Sequence, residues 1–281
     1  MLEVQANTWE GAYSLLILLG PHAAFLTLSS VLTVQALFFA DGGLLALDCN
    51  ICNLGFFPCF IAYPFIYKKI VKDKPDPRRL AIGSILAAVI GLQLGSLGVV
   101  LQTHLSGIAA LPLFSFLVIM QPIHLAIGLV EGLATAGVVS FIWKARPEIL
   151  ARALNEQPLG QVPIRNIVIV LLTATALTGG MLAWYASEHP DGLEWSITKV
   201  AGKSEIVSPS SDIHTKLERI QQKTSFLPDY SFKENETTFP NERDSFGTYT
   251  GTTLSSLLGG LLVLACSVLV GFVLKKRSHT A

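Results

Sequence analysis

An all-α, polytopic bundle of transmembrane helices, with a small extracytoplasmic domain between the last two of them, is expected from this sequence on three grounds. Of 281 residues, 51% are hydrophobic and only 14% charged, against about a quarter charged in soluble domains. The net charge is zero and is gathered into a few short segments, which leaves no overall attraction for nucleic acid. Between those segments run apolar stretches of the roughly 20 residues that a hydrocarbon core demands.

Gly11–Ala40 carries no charge but is interrupted by Gly20-Pro21-His22, a turn signal. A short helix entering the bilayer is therefore expected, then a turn, then a longer helix from Ala23 to about Ala40. His22, beside the turn, reads as structural. Asp41-Gly42-Gly43 follows and sets a carboxylate and a flexible turn between two apolar stretches. Bilayers do not tolerate lipid-exposed irregular backbone or unpaired charge, so this break must face protein or a water-lined cavity. It is a candidate wall of a transport pathway.

Asn53–Tyr67 reads as a short helix containing Pro58 and Pro64, and Leu80–Gln102 as an uncharged span. Gly107–Gln121 is shorter, contains Pro112, and is expected to be re-entrant or interfacial. Pro122–Trp143, with Glu131 as its one charge, then Asn166–Ser187 and Leu254–Leu274, complete the spans. Basic residues set the orientation. Lys68, Lys69, Lys72, Lys74, Arg78 and Arg79 fall in one loop, Lys144, Arg146, Arg152 and Arg165 in a second, and Lys275, Lys276 and Arg277 in the tail. All three segments are expected on the cytoplasmic side. Glu188–Thr248 is polar, carries more acidic than basic residues up to Asp244, and is expected outside. A module of that size has a marginal core by itself, so it is expected to dock on the membrane part. The expected division is 1–187 for the transmembrane domain and 188–281 for the second domain. The latter comprises an external segment, 188–248, and a C-terminal transmembrane helix, 252–274.

Within the spans, Gly83, Ala87, Gly91 and Gly95 recur every four positions. Such a stripe lets helix backbones approach closely, either at a partner interface or inside the bundle. His124 and Glu131 lie seven apart on one helix, about 10 Å along the axis and on one face, too far apart to chelate one ion jointly. They are either functional groups facing the bundle interior, or a histidine at headgroup level and a glutamate paired with another helix. Cys49, Cys52, Cys59 and Cys266 all fall in apolar segments, where a disulfide framework is not expected. Cys49 and Cys52 form a C-x-x-C without a second pair of ligands nearby, and read as packing residues rather than a zinc or redox site. No P-loop, H-E-x-x-H, G-x-S-x-G or G-x-G-x-x-G is present. An enzyme is not expected, nor a bound cofactor, and an energy-coupled function would need an ATPase from another chain.

The run GPHAAFLTLSSVLTVQALFFADGGLLAL, followed by CNICNLGFF, resembles the core signature of the CbiM/NikM family. These are substrate-capture membrane subunits of energy-coupling-factor transporters for cobalt or nickel. QPIHLAIGLVEGLATAGVVSFIWKARPE, with His124 and Glu131, resembles a later helix of the same family. HPDGLEWSITKVAG and FLPDY resemble the PDGLE module, related to the small CbiN/NikN accessory subunit and here fused to the same chain. The resemblance implies Co²⁺ or Ni²⁺ as transported substrate, captured from outside. It further implies a transmembrane coupling subunit and cytoplasmic ATPase subunits as partners, and the cytoplasmic membrane of a bacterium or archaeon as the location. For cobalt it implies a supply to cobalamin biosynthesis.

Two departures from the family pattern bear on the site. The family holds its metal largely through the free N-terminus, an adjacent histidine, and a further histidine before the helix that ends in Gly-Pro. This chain has Met1-Leu2, has Thr8 near the second position, and has no histidine before His22. The direct metal ligands are therefore unassigned, and the chain is expected to be N-terminally incomplete. The second departure is Asp48, where the family has glycine; it adds a carboxylate close to Asp41. Asp41, Gly42, Gly43, Asn50 and Asn53 are expected to shape the shell that supports the site, the side chains by orienting ligands and the glycines by permitting the turn. Two rival classes are an ion-coupled secondary transporter using Asp41, Asp48 and Glu131, and a structural remnant that assembles without binding metal.

Overall fold

The computed structural model describes residues 4–72, 75–107, 111–157, 165–180, 184, 192–202, 212–232 and 245–278. Every regular element among them is helical. Helix α1 spans Val4–Leu19 and α2 Pro21–Phe38. Gly20 separates them with a φ of 80°, a left-handed value that favours glycine. Pro21 then occupies the first turn of α2, where its missing N–H costs nothing. The break falls where Gly20-Pro21-His22 predicts it.

Helix α3 runs unbroken over Leu44–Val71, longer at both ends than the expected Asn53–Tyr67. It opens as a tight turn, Leu44–Ala46, and takes a wider π-type winding over Cys52–Tyr67. Pro58 and Pro64 lie in that stretch. Proline cannot donate to a regular ladder, and here the ladder is rewound around the prolines rather than ended. Helix α4, Pro77–Ser106, starts on a cap: Asp76 accepts from the N–H groups of Arg78 and Arg79 at 2.9 and 3.0 Å. Gly107 ends it in the left-handed conformation with φ 64°.

Helix α5 corrects one expectation. It spans Leu113–Ala145 as a single 33-residue element with Pro122 inside it. Gly107–Gln121 is therefore not a separate re-entrant or interfacial segment, because Gly107 caps α4 and 113–121 form the first turns of α5. Apolar helices tolerate an internal proline when neighbours compensate the freed carbonyl. At about 50 Å, α5 also exceeds the thickness of a hydrocarbon core.

Helices α4 and α5 form an antiparallel pair through backbone contact. A Cβ on Gly132 would sit 2.6 Å from Cα of Ile85, and one on Gly128 3.0 Å from Cα of Val89. The small-residue stripe of α4 is filled from within the bundle: Gly83 faces Val71 and Tyr67 of α3, and Gly91 faces Tyr13 of α1. The core is built from α1 to α5 and the short helix α6, Pro147–Leu154, with Tyr13, Tyr63 and Tyr67 among its largest buried side chains.

Helix α7 covers Arg165–Gly180, α8 Gly192–Ala201, α9 Asp212–Thr224 and α10 Ser245–Ser278, with one further turn at Pro228–Tyr230. The segment of the expected span beyond Gly180 falls outside the described residues except for Trp184. Among the described residues, five helical segments are long and apolar enough to cross a membrane: Pro21–Phe38, Leu44–Val71, Pro77–Ser106, Leu113–Ala145 and Thr250–Val273. On α10 large apolar side chains face outward, Phe272 at 70% exposure and Leu269 at 65%, a surface suited to lipid rather than water.

Candidate functional site

Every helix leaves its last four carbonyls without intrahelical donors. At the end of α2 the donors come from the second half of the chain. Nε2 of Gln221 donates to the Ala36 carbonyl at 3.0 Å and Oγ1 of Thr224 to the Leu37 carbonyl at 2.7 Å. The backbone N–H groups of Phe226 and Leu227 donate to Phe38, and that of Asp229 donates to Phe39 at 2.9 Å. Phe226 packs on Phe38 and Phe39, and the Tyr230 ring stacks on Phe39 with centroids 4.9 Å apart. The FLPDY run, Phe226–Tyr230, is thus a clamp on the end of α2.

Asp41 completes the clamp. The Tyr230 hydroxyl donates to Oδ2 of Asp41 at 2.7 Å and accepts from Nε2 of Gln35 at 3.3 Å. Asp41 is 6% exposed. Burial pushes its carboxyl up to about 6, opposed by the Tyr230 hydrogen bond, which lowers it. Burial, then the facing Asp41, raises the Tyr230 phenol well above its ordinary range. Ala40, Gly42 and Gly43 carry φ values of 56°, 80° and 63°. The two glycines make this run of left-handed backbone affordable.

Beside this turn, Asn50, Asn53 and Leu54 of α3, Gly95, Ser96 and Val99 of α4, and Met120 and His124 of α5 line a small cleft. Leu193 of α8 reaches it from the second half of the chain. Gly192 makes that approach possible: a Cβ there would lie 2.8 Å from Cγ2 of Ile123 and 3.3 Å from Cε1 of His124. The glycine of the PDGLE run is therefore a contact surface for α5. Nδ1 of His124 donates to the Met120 carbonyl at 2.9 Å. Asn53 and Gln102 exchange a reciprocal pair of amide hydrogen bonds at 2.7 and 3.2 Å. Nδ2 of Asn50 donates to the Gly42 carbonyl at 3.3 Å, which ties the cleft to the Asp41 turn.

The structure separates the seven residues singled out from the sequence. Asn50, Asn53 and His124 meet at the cleft, and Gly42 supports Asn50. Asp41 is directed to Tyr230, and Gly43 serves the turn. Glu131 is buried at 3% exposure, on the helix face where Gly128 and Gly132 meet α4, away from the cleft. Asp48 is exposed, at the start of α3, and accepts from the N–H of Cys49 at 2.8 Å. It sits in the first turn of the α-helical part of α3, where a carboxylate is favoured. Among the described residues no three of His, Cys, Asp and Glu converge in a metal-holding group. Gln102, Ser96, Met120, Leu193 and Tyr230 were missed. An amide inside an uncharged span is a signal in its own right, and would have flagged Gln102. Leu193 and Tyr230 fall in the HPDGLEWSITKVAG and FLPDY runs, which mark a module without showing what it touches.

Comparisons with known proteins identify two regions of the chain. Residues 10–149 match the family model described as the cobalt uptake substrate-specific transmembrane region, CbiM, and residues 165–276 match the PDGLE domain. A chain of Archaeoglobus fulgidus, provisionally named fused nickel transport protein NikMN, is 31% identical over 265 residues, covering 94% of this chain and 76% of that one. The fused nickel transport protein NikMN of Rhodobacter capsulatus is 27% identical, over 89% of this chain and 74% of its own length. The cobalt transport protein CbiM of Geobacter sulfurreducens is 31% identical, over 65% and 54%. No solved structure matches. With a CbiM region and a PDGLE region in one polypeptide and, among the described residues, five helices long and apolar enough to cross a membrane, the chain belongs to the CbiM/NikMN family of cobalt and nickel transport membrane proteins.

Proposed function

We propose that the chain is the substrate-specific subunit of an energy-coupling-factor transporter that imports Co²⁺ or Ni²⁺ across the cytoplasmic membrane of a bacterium or archaeon. Its partners on this reading are a transmembrane coupling subunit and cytoplasmic ATPase subunits, which supply the energy. The metal is cargo, and for cobalt the destination is cobalamin biosynthesis. Residues 1–187 form the capture domain and 188–281 the accessory domain.

The observation that carries this reading is the seating of the second domain on the first at two points. Gly192 and Leu193 close over the His124 cleft, and Phe226–Tyr230 clamps the Asp41 turn. Both points lie at the end of α4 and α5 opposite the basic residues Arg78, Arg79 and Lys144. Positive charge marks the cytoplasmic side, so the cleft faces outward, where capture begins. Titration of the purified full chain with Ni²⁺ and Co²⁺, against Mg²⁺ and Ca²⁺, tests the reading. Binding of the transition metals in preference to the others is expected. No binding of either would favour the structural remnant.

A further inference from the structure

The polar atoms lining the cleft include a donor set that elimination identifies. Asn53 spends both ends of its amide on Gln102. Ser96 donates to the Gln93 carbonyl and accepts from Gln121. Two polar atoms remain. His124 donates through Nδ1 to a backbone carbonyl, which fixes the neutral tautomer and leaves the lone pair on Nε2. That is the usual preparation of a metal-binding imidazole. Asn50 is anchored through Nδ2 on Gly42, so Oδ1 makes no hydrogen bond with the described residues. An imidazole nitrogen beside an amide oxygen suits a borderline divalent ion such as Ni²⁺ or Co²⁺ better than Mg²⁺ or Ca²⁺, which take oxygen ligands throughout.

We propose that this cleft is a transit site for a divalent transition-metal ion, held by Nε2 of His124 and Oδ1 of Asn50 with water completing its coordination, and closed by Leu193 of the second domain. This rests on the transport reading above and adds to it a site within the chain itself. Two protein ligands hold an ion loosely, as a site that must pass its cargo onward requires. The Asp41–Tyr230 clamp acts on the site indirectly: it fixes the turn whose Gly42 carbonyl aligns Asn50.

The test uses the full chain in detergent, with Ni²⁺ titration for affinity and Cu²⁺ as a paramagnetic probe of imidazole coordination by pulsed electron paramagnetic resonance. His124→Ala should weaken Ni²⁺ binding at least tenfold and abolish the remote-nitrogen modulation of bound Cu²⁺. His22→Ala and His104→Ala should leave both unchanged. Leu193→Trp, which fills the cleft and leaves His124 in place, should weaken binding similarly; this guards against a folding defect specific to His124→Ala. Unchanged Ni²⁺ affinity and retained modulation in His124→Ala would overturn the proposal. Uptake of radioactive nickel in cells separates this from the transport reading. If uptake is ATPase-dependent but indifferent to His124→Ala and Leu193→Trp, the cleft falls and the transport reading stands. If His124→Ala loses binding while wild-type uptake persists without the ATPase, the cleft stands and the coupling reading falls.

Discussion

Asp41 shows what a single carboxylate can report about a membrane chain. A charge flanked by apolar sequence must find a partner, and that much is legible from the residues around it. The partner is Tyr230, 189 positions away, and nothing local announces it. The pair has a measurable consequence. The Asp41 carboxyl moves from an ordinary 3.8 to about 6 in the folded chain. A raised acid is most compatible with the fold when protonated, so stability is fully present below about 4 and is lost as pH rises through about 6. A shift of that size corresponds to about 3 kcal/mol. Asp41→Asn keeps an acceptor for the Tyr230 hydroxyl and removes the titration. The thermal midpoint of the wild-type chain should fall between pH 4 and 6, and that of Asp41→Asn should stay flat over the same window. A parallel fall in both proteins would refute the assignment.

The helices divide into those written in local sequence and those decided by their neighbours. Gly20-Pro21 and the Asp76 cap mark boundaries that local chemistry sets, and the structure places them there. Pro58, Pro64 and Pro122 are the opposite case. Pro58 and Pro64 are expected inside a short helix and Pro122 at the start of a span, yet α3 extends past both ends of that expectation and α5 runs through Pro122. The small-residue stripe predicts close helix approach without saying to what, and tertiary structure supplies α1 and α3 as the answer. The α4–α5 contact is the tightest of these approaches to backbone. Gly132→Val would drive a side chain into the backbone of Ile85. It should cost about 1–3 kcal/mol, read as a lower midpoint of thermal unfolding in detergent. Gly137→Ala, on the same helix with open space around it, should leave that midpoint where it is.

At the scale of the molecule, the CbiM region and the PDGLE region are joined by more than the chain that links them. The end of α2 has its carbonyls satisfied by Gln221, Thr224, Phe226, Leu227 and Asp229, and the His124 cleft is completed by Leu193. That Leu193 and Phe226–Tyr230 pack on the first region follows from the small size of the segment they belong to, and is legible in that sense. Where it docks is not, because the surfaces that meet are backbone carbonyls and a cleft, which leave no mark in composition or periodicity. The family motifs locate the two regions; only the fold shows that one closes over the other. On the reading proposed above, the chain captures Co²⁺ or Ni²⁺ for an importer driven by a separate ATPase. Uptake of radioactive nickel or cobalt by cells expressing the chain, with and without the ATPase subunits, decides the matter. Uptake should require both the chain and the ATPase; uptake that continues at the same rate after the ATPase is removed would refute that reading.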